Sequence, residues 1–268
     1  MQDVQIDIFK AFSTASLGVI MSDHWQTFPC TMGDHVAFIT YDHAIRTELE
    51  VLPFSNCARF EVTLKDPDDR GLPHGDEFSW LNDVEDYLSR GLTEARAVPV
   101  GRITTNGRRY LFYYTSQDEV TSEAVAREAA ASHGYVISLT HALDSERSHY
   151  WNELFPTDDD RQVIQDMRVE DSLREEGDPL TTPREVDHWA YFHKASDRQR
   201  FVEAVTEHFA AIELYETPDN ARGIFTAKLV HTSLPDYRSM NKFTMLLNRA
   251  AKDSGGDYDG WETSVCRQ

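Results

Sequence analysis

The sequence predicts an α+β protein built from two antiparallel-sheet units, and three observations carry that reading. The order strand, helix, strand, strand, helix, strand can be read twice along the chain. Asn106–Gly107 stands between two apolar runs and is the strongest short hairpin signal a sequence offers. A densely acidic stretch separates the two copies, and 268 residues suit two domains better than one core. The expected domains are 1–155 and 156–268.

In the first copy, "CARFEVTLK" (57–65) reads as a strand. A helix from about 75 to 90 aligns Phe78, Leu81, Val84 and Leu88 and is expected to stop at Gly91. "RAVPVGRITT" (96–105) and "RRYLFYYTS" (108–116) flank the hairpin turn. A helix from Ser122 to His133 ends at Gly134, and "YVISLTHAL" (135–143) closes the unit as a strand. Extra strands around 24–29 and 34–41 decorate it.

Between the copies, Thr157 precedes Asp160 by three residues, with Asp158, Asp159 and Asp160 in a first helical turn where the dipole favours negative charge. Val163 and Met167 give this helix a thin apolar edge, and Gly177 ends it. Residues 157–187 hold 11 acidic and 4 basic side chains. Two readings stay open: a solvated helix face, or an acidic docking surface for a basic partner segment.

In the second copy, "HWAYFH" (188–193) is an aromatic strand, and Asp197 opens a helix with Phe201, Val202, Val205 and Phe209 on one face. "AIELYE" (211–216) and "RGIFTAKLVH" (222–231) follow as strands. Ser233, three residues before Asp236, marks a helix start; Met240, Phe243, Leu247 and Ala250 form its stripe, and Gly255–Gly256 ends it. "YDGWETS" (258–264) closes as a strand. Each unit is therefore a ferredoxin-like β-α-β-β-α-β arrangement with two helices on one face of an antiparallel sheet, the first with extra N-terminal strands.

The composition narrows the function classes. An apolar fraction of 40% builds real cores, and 26 basic against 46 acidic side chains give a charge of −20. Residues 1–150 carry 12 basic and 23 acidic side chains, so the charge is spread over both halves. Neither half offers the broad basic surface that nucleic acid or an anionic membrane requires. The run "AFSTASLGVIM" near the start follows Asp3, Asp7 and a lone Lys10 where a secretory signal would be basic, and no run reaches the length of a membrane span. A cytoplasmic location is expected.

Chemistry-bearing motifs are scarce. Cys30, Cys57 and Cys266 form no CxxC pair, and no phosphate loop, zincin or serine-hydrolase motif occurs. "GGDYDG" (255–260) lacks the later oxygen ligands of a calcium loop and reads as a helix stop. His188 and His193 lie five apart on a strand and project to opposite faces, so they share no metal. No catalytic residue, metal or cofactor is expected. An RNA-recognition module has the same element order, yet its third strand needs stacking rings where this chain has Ile224 and Thr226.

"GDPLTTPREVDHWAYF" (177–192), the spacing after it and above all "GGDYDGWET" (255–263) resemble the bacterial regulator of ribonuclease activity B (ribonuclease E inhibitor B) family over the last 110 or so residues. "FEVTL", "YLFYYTS" and "YWNELFP" (150–156) resemble an uncharacterised bacterial domain of unknown function. The first resemblance implies a small α+β protein without catalysis that binds the scaffold region of ribonuclease E and alters the degradosome. A charge of −20 suits a disordered Arg-rich target.

By analogy with the fold, the strand at 258–264 lies at a sheet edge and is able to accept an extended partner strand. Tyr258 and Trp261 are expected on opposite faces, one in the core and the other an exposed anchor, unless both are core. Arg184, Asp187 and Glu262 are expected to form an ion pair at this edge. With Asp178, His188, Trp189 and Asp259 they complete the candidate partner-binding set. The leading reading is a non-enzymatic regulator that binds a ribonuclease E-like enzyme through an acidic surface. The rivals are a small-molecule enzyme or ligand-binding domain in the first half, which requires a deep polar pocket there, and a structural tandem that homodimerises through its sheets.

Overall fold

The computed structural model describes residues 24–93, 97–218 and 220–267. The run near the chain start lies outside the described residues. The chain divides into two compact units, Met1–Phe155 and Pro156–Gln268.

In the first unit β1 (Trp25–Met32) and β2 (His35–Asp42) form a hairpin. They are followed by β3 (Asn56–Thr63), α1 (Glu77–Thr93), β4 (Ala97–Thr105), β5 (Arg108–Thr115), α2 (Glu119–His133) and β6 (Val136–Leu143). The sheet order is β1-β2-β4-β5-β3-β6, antiparallel throughout. Its last four strands are the ferredoxin-like set, extended beside β4 by the early hairpin. Asn106 (φ 46°) and Gly107 (φ 71°) make the tight turn between β4 and β5 with both residues left-handed, as the Asn-Gly pair demands. Leu81, Val84 and Leu88 of α1 and Ala126 and Ala129 of α2 bury against Phe60, Val62 and Leu111.

Two expectations fail here for local reasons. Phe78 is 52% exposed rather than core, because it sits in the first turn of α1, beyond the buried stripe that starts at Leu81. Gly91 does not end α1, which runs on to Thr93. A Cβ at Gly91 would lie 2.8 Å from Val125 Cγ1, so this glycine lets α1 and α2 approach closely.

The second unit contains α3 (Asp158–Glu175), β7 (Arg184–Phe192), α4 (Ala195–Val205), β8 (Ala211–Glu216), β9 (Phe225–Ser233), α5 (Tyr237–Asp253) and β10 (Gly256–Thr263). Its sheet order, β10-β7-β9-β8, is the ferredoxin-like one, so the predicted α+β class holds for both units. Phe192, Phe201, Val205, Leu229, Leu247 and Ala251 form the core between the sheet and α4 and α5. Asp236, not Ser233, caps α5 by accepting the Ser239 N–H at 3.0 Å, while Ser233 is still strand.

The acidic helix α3 opens with the expected capping box between Thr157 and Asp160. It is not solvated all round, since Gln162, Val163, Asp166 and Leu173 are buried. Its first turn is also answered from within: Lys252 and Arg249 of α5 reach Asp158 and Asp159, each at 2.5 Å. The negative charge here largely staples two helices.

Candidate protein-binding face

Alternation along β7 decides which side chains are available. Val186, His188, Ala190 and Phe192 point to the helices and are buried, while Glu185, Asp187, Trp189 and Tyr191 point to the other side of the sheet. Register carries that side across the neighbours. Glu213 of β8 pairs with Lys228 of β9, Tyr215 with Thr226, and Glu262 and Asp257 of β10 pair with Asp187 and Tyr191.

This open side has its own chemistry. The Trp189 indole N–H donates to Glu262 at 2.9 Å, and its ring stacks near Tyr215, with centroids 6.4 Å apart. Lys228 bridges to Asp187 at 2.8 Å and lies 5.6 Å from the Trp189 ring centre. The Asp187 hydrogen bond, above all, holds the Lys228 ammonium above its ordinary pKa. Arg222 pairs with Asp259 and hangs 5.9 Å over the Tyr191 ring. Among the described residues, six carboxylates, Glu185, Asp187, Glu213, Asp257, Asp259 and Glu262, thus face Lys228 and Arg222 around three aromatic rings. Rings and carboxylates together bind guanidinium groups, as Arg222 already demonstrates within the chain.

Of the predicted partner-binding residues, Asp187, Trp189, Asp259 and Glu262 come together on this side. The other five do not. His188 is fully buried; its ring nitrogens meet the Tyr258 hydroxyl at 2.7 Å and His231 at 3.1 Å. Burial, and then the neighbouring His231, pushes His188 down to about 3, and burial, and then Lys242, pushes His231 down to about 4.

Tyr258 and Trp261 do not point to opposite faces. A bulge between Tyr258 and Gly260 inserts one residue against β7, which returns Trp261 to the helix side, and both rings are 6% exposed. The Trp261 N–H donates to the fully buried Asp166 at 3.1 Å, and Thr244 and Gln162 donate to the same carboxylate at 2.6 and 2.9 Å. Burial lifts Asp166 to about 6 against the pull of these three donors.

The expected ion pair among Arg184, Asp187 and Glu262 is replaced by three separate partnerships. Arg184 turns to Asp178, both nearly buried, and Asp178 also accepts the Leu180 and Cys266 N–H groups at 2.8 Å. Burial works to raise the Asp178 pKa, but these donors and the guanidinium outweigh it and hold the carboxyl low. Asp187 takes Lys228, and Glu262 takes the Trp189 indole. The pair Asp178–Arg184 therefore locks the turn before β7. Tyr191, Glu213, Tyr215, Asp257 and Lys228 were not singled out from the sequence. The alternation in "HWAYF" and "AIELYE" is the signal for Tyr191, Glu213 and Tyr215, while Lys228 of β9 and Asp257 of β10 join them through strand register.

The first unit holds less. Burial, and then Asp144 and Glu153, pushes the Cys57 thiol up to about 12, which favours the neutral thiol over the thiolate. His149 meets Glu153 at 2.5 Å, at the start of a π-helical turn, Tyr150–Leu154. A surface groove runs past Asp34, His35, Asp69, Arg70 and Asn106 at the hairpin turns. Among the described residues no cluster of His, Cys, Asp and Glu suits a metal ion.

The fold and this face define a tandem of two α+β antiparallel-sheet units, the second presenting an acidic, aromatic sheet surface. Residues 157–263 match the family described as regulator of ribonuclease activity B, and residues 23–155 match a family of unknown function, DUF695. Both resemblances read from the sequence are borne out. No curated protein matches the chain. Solved structures with some similarity include an unknown protein from Galdieria sulphuraria, with 11% identity, a TM-score of 0.21 and coverage of 79% of this chain and 99% of that one. A putative glycine cleavage system transcriptional repressor has 10% identity, a TM-score of 0.21 and coverage of 80% and 100%. Such scores establish neither a shared fold nor a shared function.

Proposed function

We propose that this protein is a non-enzymatic regulator of an RNA-processing enzyme, and that its second unit grips a basic protein segment on the open side of the β7–β10 sheet. The family match supplies the class of target. The single observation that carries the reading is the excess of carboxylates around Trp189, Tyr191 and Tyr215. That arrangement favours Arg-rich protein over RNA, because phosphates would meet carboxylates where they need cations. The partner is the basic scaffold region of a ribonuclease E-like enzyme, met in the cytoplasm, and no helix among the described residues is long and apolar enough to cross a membrane.

The first unit, whose described chemistry includes no activated nucleophile, adds a second binding surface. Capture of the purified ribonuclease scaffold segment by the full chain and by a chain truncated after residue 155 tests the reading. Capture by the full chain alone, weakening with salt, supports it; equal capture by the truncated chain contradicts it.

A further inference from the structure

We propose that the outer edge of β8 receives the basic segment as a fifth strand of the second sheet. This deepens the function proposed above and rests on it. A four-stranded antiparallel sheet has two edges, and here they are built differently.

The β10 edge is closed to strand addition. The bulge at Tyr258–Gly260 breaks its ladder, and Gln165 of α3 donates to the Asp259 carbonyl at 2.9 Å. A Cβ on Gly260 would meet that same Gln165 amide at 2.9 Å, so α3 lies directly against this edge. Bulges and covering helices are the ordinary means by which edges are protected.

The β8 edge has no register break, and Arg198 of α4, a helix side chain that reaches this strand, donates at 2.8 Å to the Tyr215 carbonyl, a group turned toward β9 rather than outward. Its register with β9 runs unbroken from Ala211↔Val230 to Glu216↔Phe225, and among the described residues it pairs with no other strand. The Thr217 N–H bonds Ile224 O at 2.8 Å, which by the two-residue period turns Glu213 and Tyr215 inward. The backbone groups of Ile212, Leu214 and Glu216 therefore face away from β9. The strand contains no proline and no lysine, and Leu214 and Tyr215 are 46% and 42% exposed.

Charge selects the occupant. Glu213 and Glu216 on this edge repel a second copy of the chain and attract a cationic strand. A strand laid along β8 places alternate side chains beside Glu213 and Tyr215, and the others beside Leu214. The fitting partner is an extended segment of about six residues in which Arg alternates with apolar residues. Its guanidinium groups would meet Glu213 and the Tyr215 ring, the same kind of carboxylate-and-ring contact that Arg222 makes with Asp259 and Tyr191.

The probe is a labelled acetyl-Arg-Val-Arg-Val-Arg-Val-amide, titrated into the full chain by fluorescence anisotropy beside a copy N-methylated at every residue. N-methylation keeps the charge and removes the strand's donors. The expected result is loss of about tenfold or more in affinity on methylation, and a similar loss for Leu214→Pro with an unchanged circular dichroism spectrum. Equal binding of both peptides overturns strand addition and leaves the basic-segment reading standing. Binding of neither overturns both. A dimer in sedimentation velocity that Leu214→Pro dissolves makes a second copy the occupant and also overturns the proposal. Should Leu214→Pro fail to fold, the two peptides still decide.

Discussion

The indole N–H of Trp261 donates to the Asp166 carboxylate at 3.1 Å, joining the edge strand β10 to the acidic helix α3 inside the core. Asp166 is fully buried, and its two oxygens take donors from three elements, α3, α5 and β10. Asp166→Ala strands three buried donors and is expected to cost about 2–4 kcal/mol by urea unfolding. Asp166→Asn keeps its oxygen on Gln162 and Trp261 and lets its amide donate to Thr244, so its cost is expected below about 1 kcal/mol. Trp261→Ala should cost about 3–5 kcal/mol, and any loss of binding in that variant reports unfolding rather than a lost anchor.

The same core makes stability depend on pH with two opposed signs. His188 and His231 fall to about 3 and about 4 when folded, so the unfolded chain binds more protons. Their contribution is complete above the ordinary histidine range and is lost as pH falls toward 4. Asp166, raised to about 6, holds its proton longer in the folded state, so its contribution is complete below the ordinary Asp range and is lost as pH rises through 6. Urea midpoints measured between pH 7 and pH 4 should therefore drop more steeply for Asp166→Asn than for the parent, and less steeply for His231→Gln. Parallel curves for all three contradict this assignment.

Gly260 adopts φ +113°, beyond easy reach of an L side chain, and a Cβ there meets Gln165. Gly260→Ala is expected to lower stability by about 1–3 kcal/mol. Addition of Gln165→Ala should recover only the steric part, because the backbone strain remains.

Gly91→Ala sets about 1 kcal/mol of helix propensity against overpacking on Val125. The expected net effect is a loss of about 1 kcal/mol, with Val125→Ala restoring it in the double variant. A stabilised Gly91→Ala would mean that Val125 yields freely.

The regular parts of both units were legible because period and punctuation agree in them. Asn106–Gly107, the Thr157–Asp160 box and the Gly134 stop each act within a few residues of where they stand. Features that depend on a distant neighbour were not legible. Gly91 resembles a helix stop until Val125 is seen beside it, and Asp166 resembles one more solvated charge until Trp261 and Thr244 surround it. The bulge at 258–260 is silent to strict alternation, and it moved Trp261 from candidate anchor to core. The open face was half legible: its rings are in the strands, but register alone brings Trp189 of β7 over Tyr215 of β8, since β9 lies between them.

Binding of the partner rests on the open face of the second sheet. Its most direct test is calorimetric titration of an Arg-rich ribonuclease scaffold peptide into the full chain, the Trp189→Ala variant and the Glu213→Gln/Glu262→Gln variant, at low and high salt. Both variants should fold as the parent does and lose about tenfold in affinity, the charge variant with a shallower salt dependence. Undiminished affinity in both, with the parent's salt dependence, would contradict the claim that this face holds the partner.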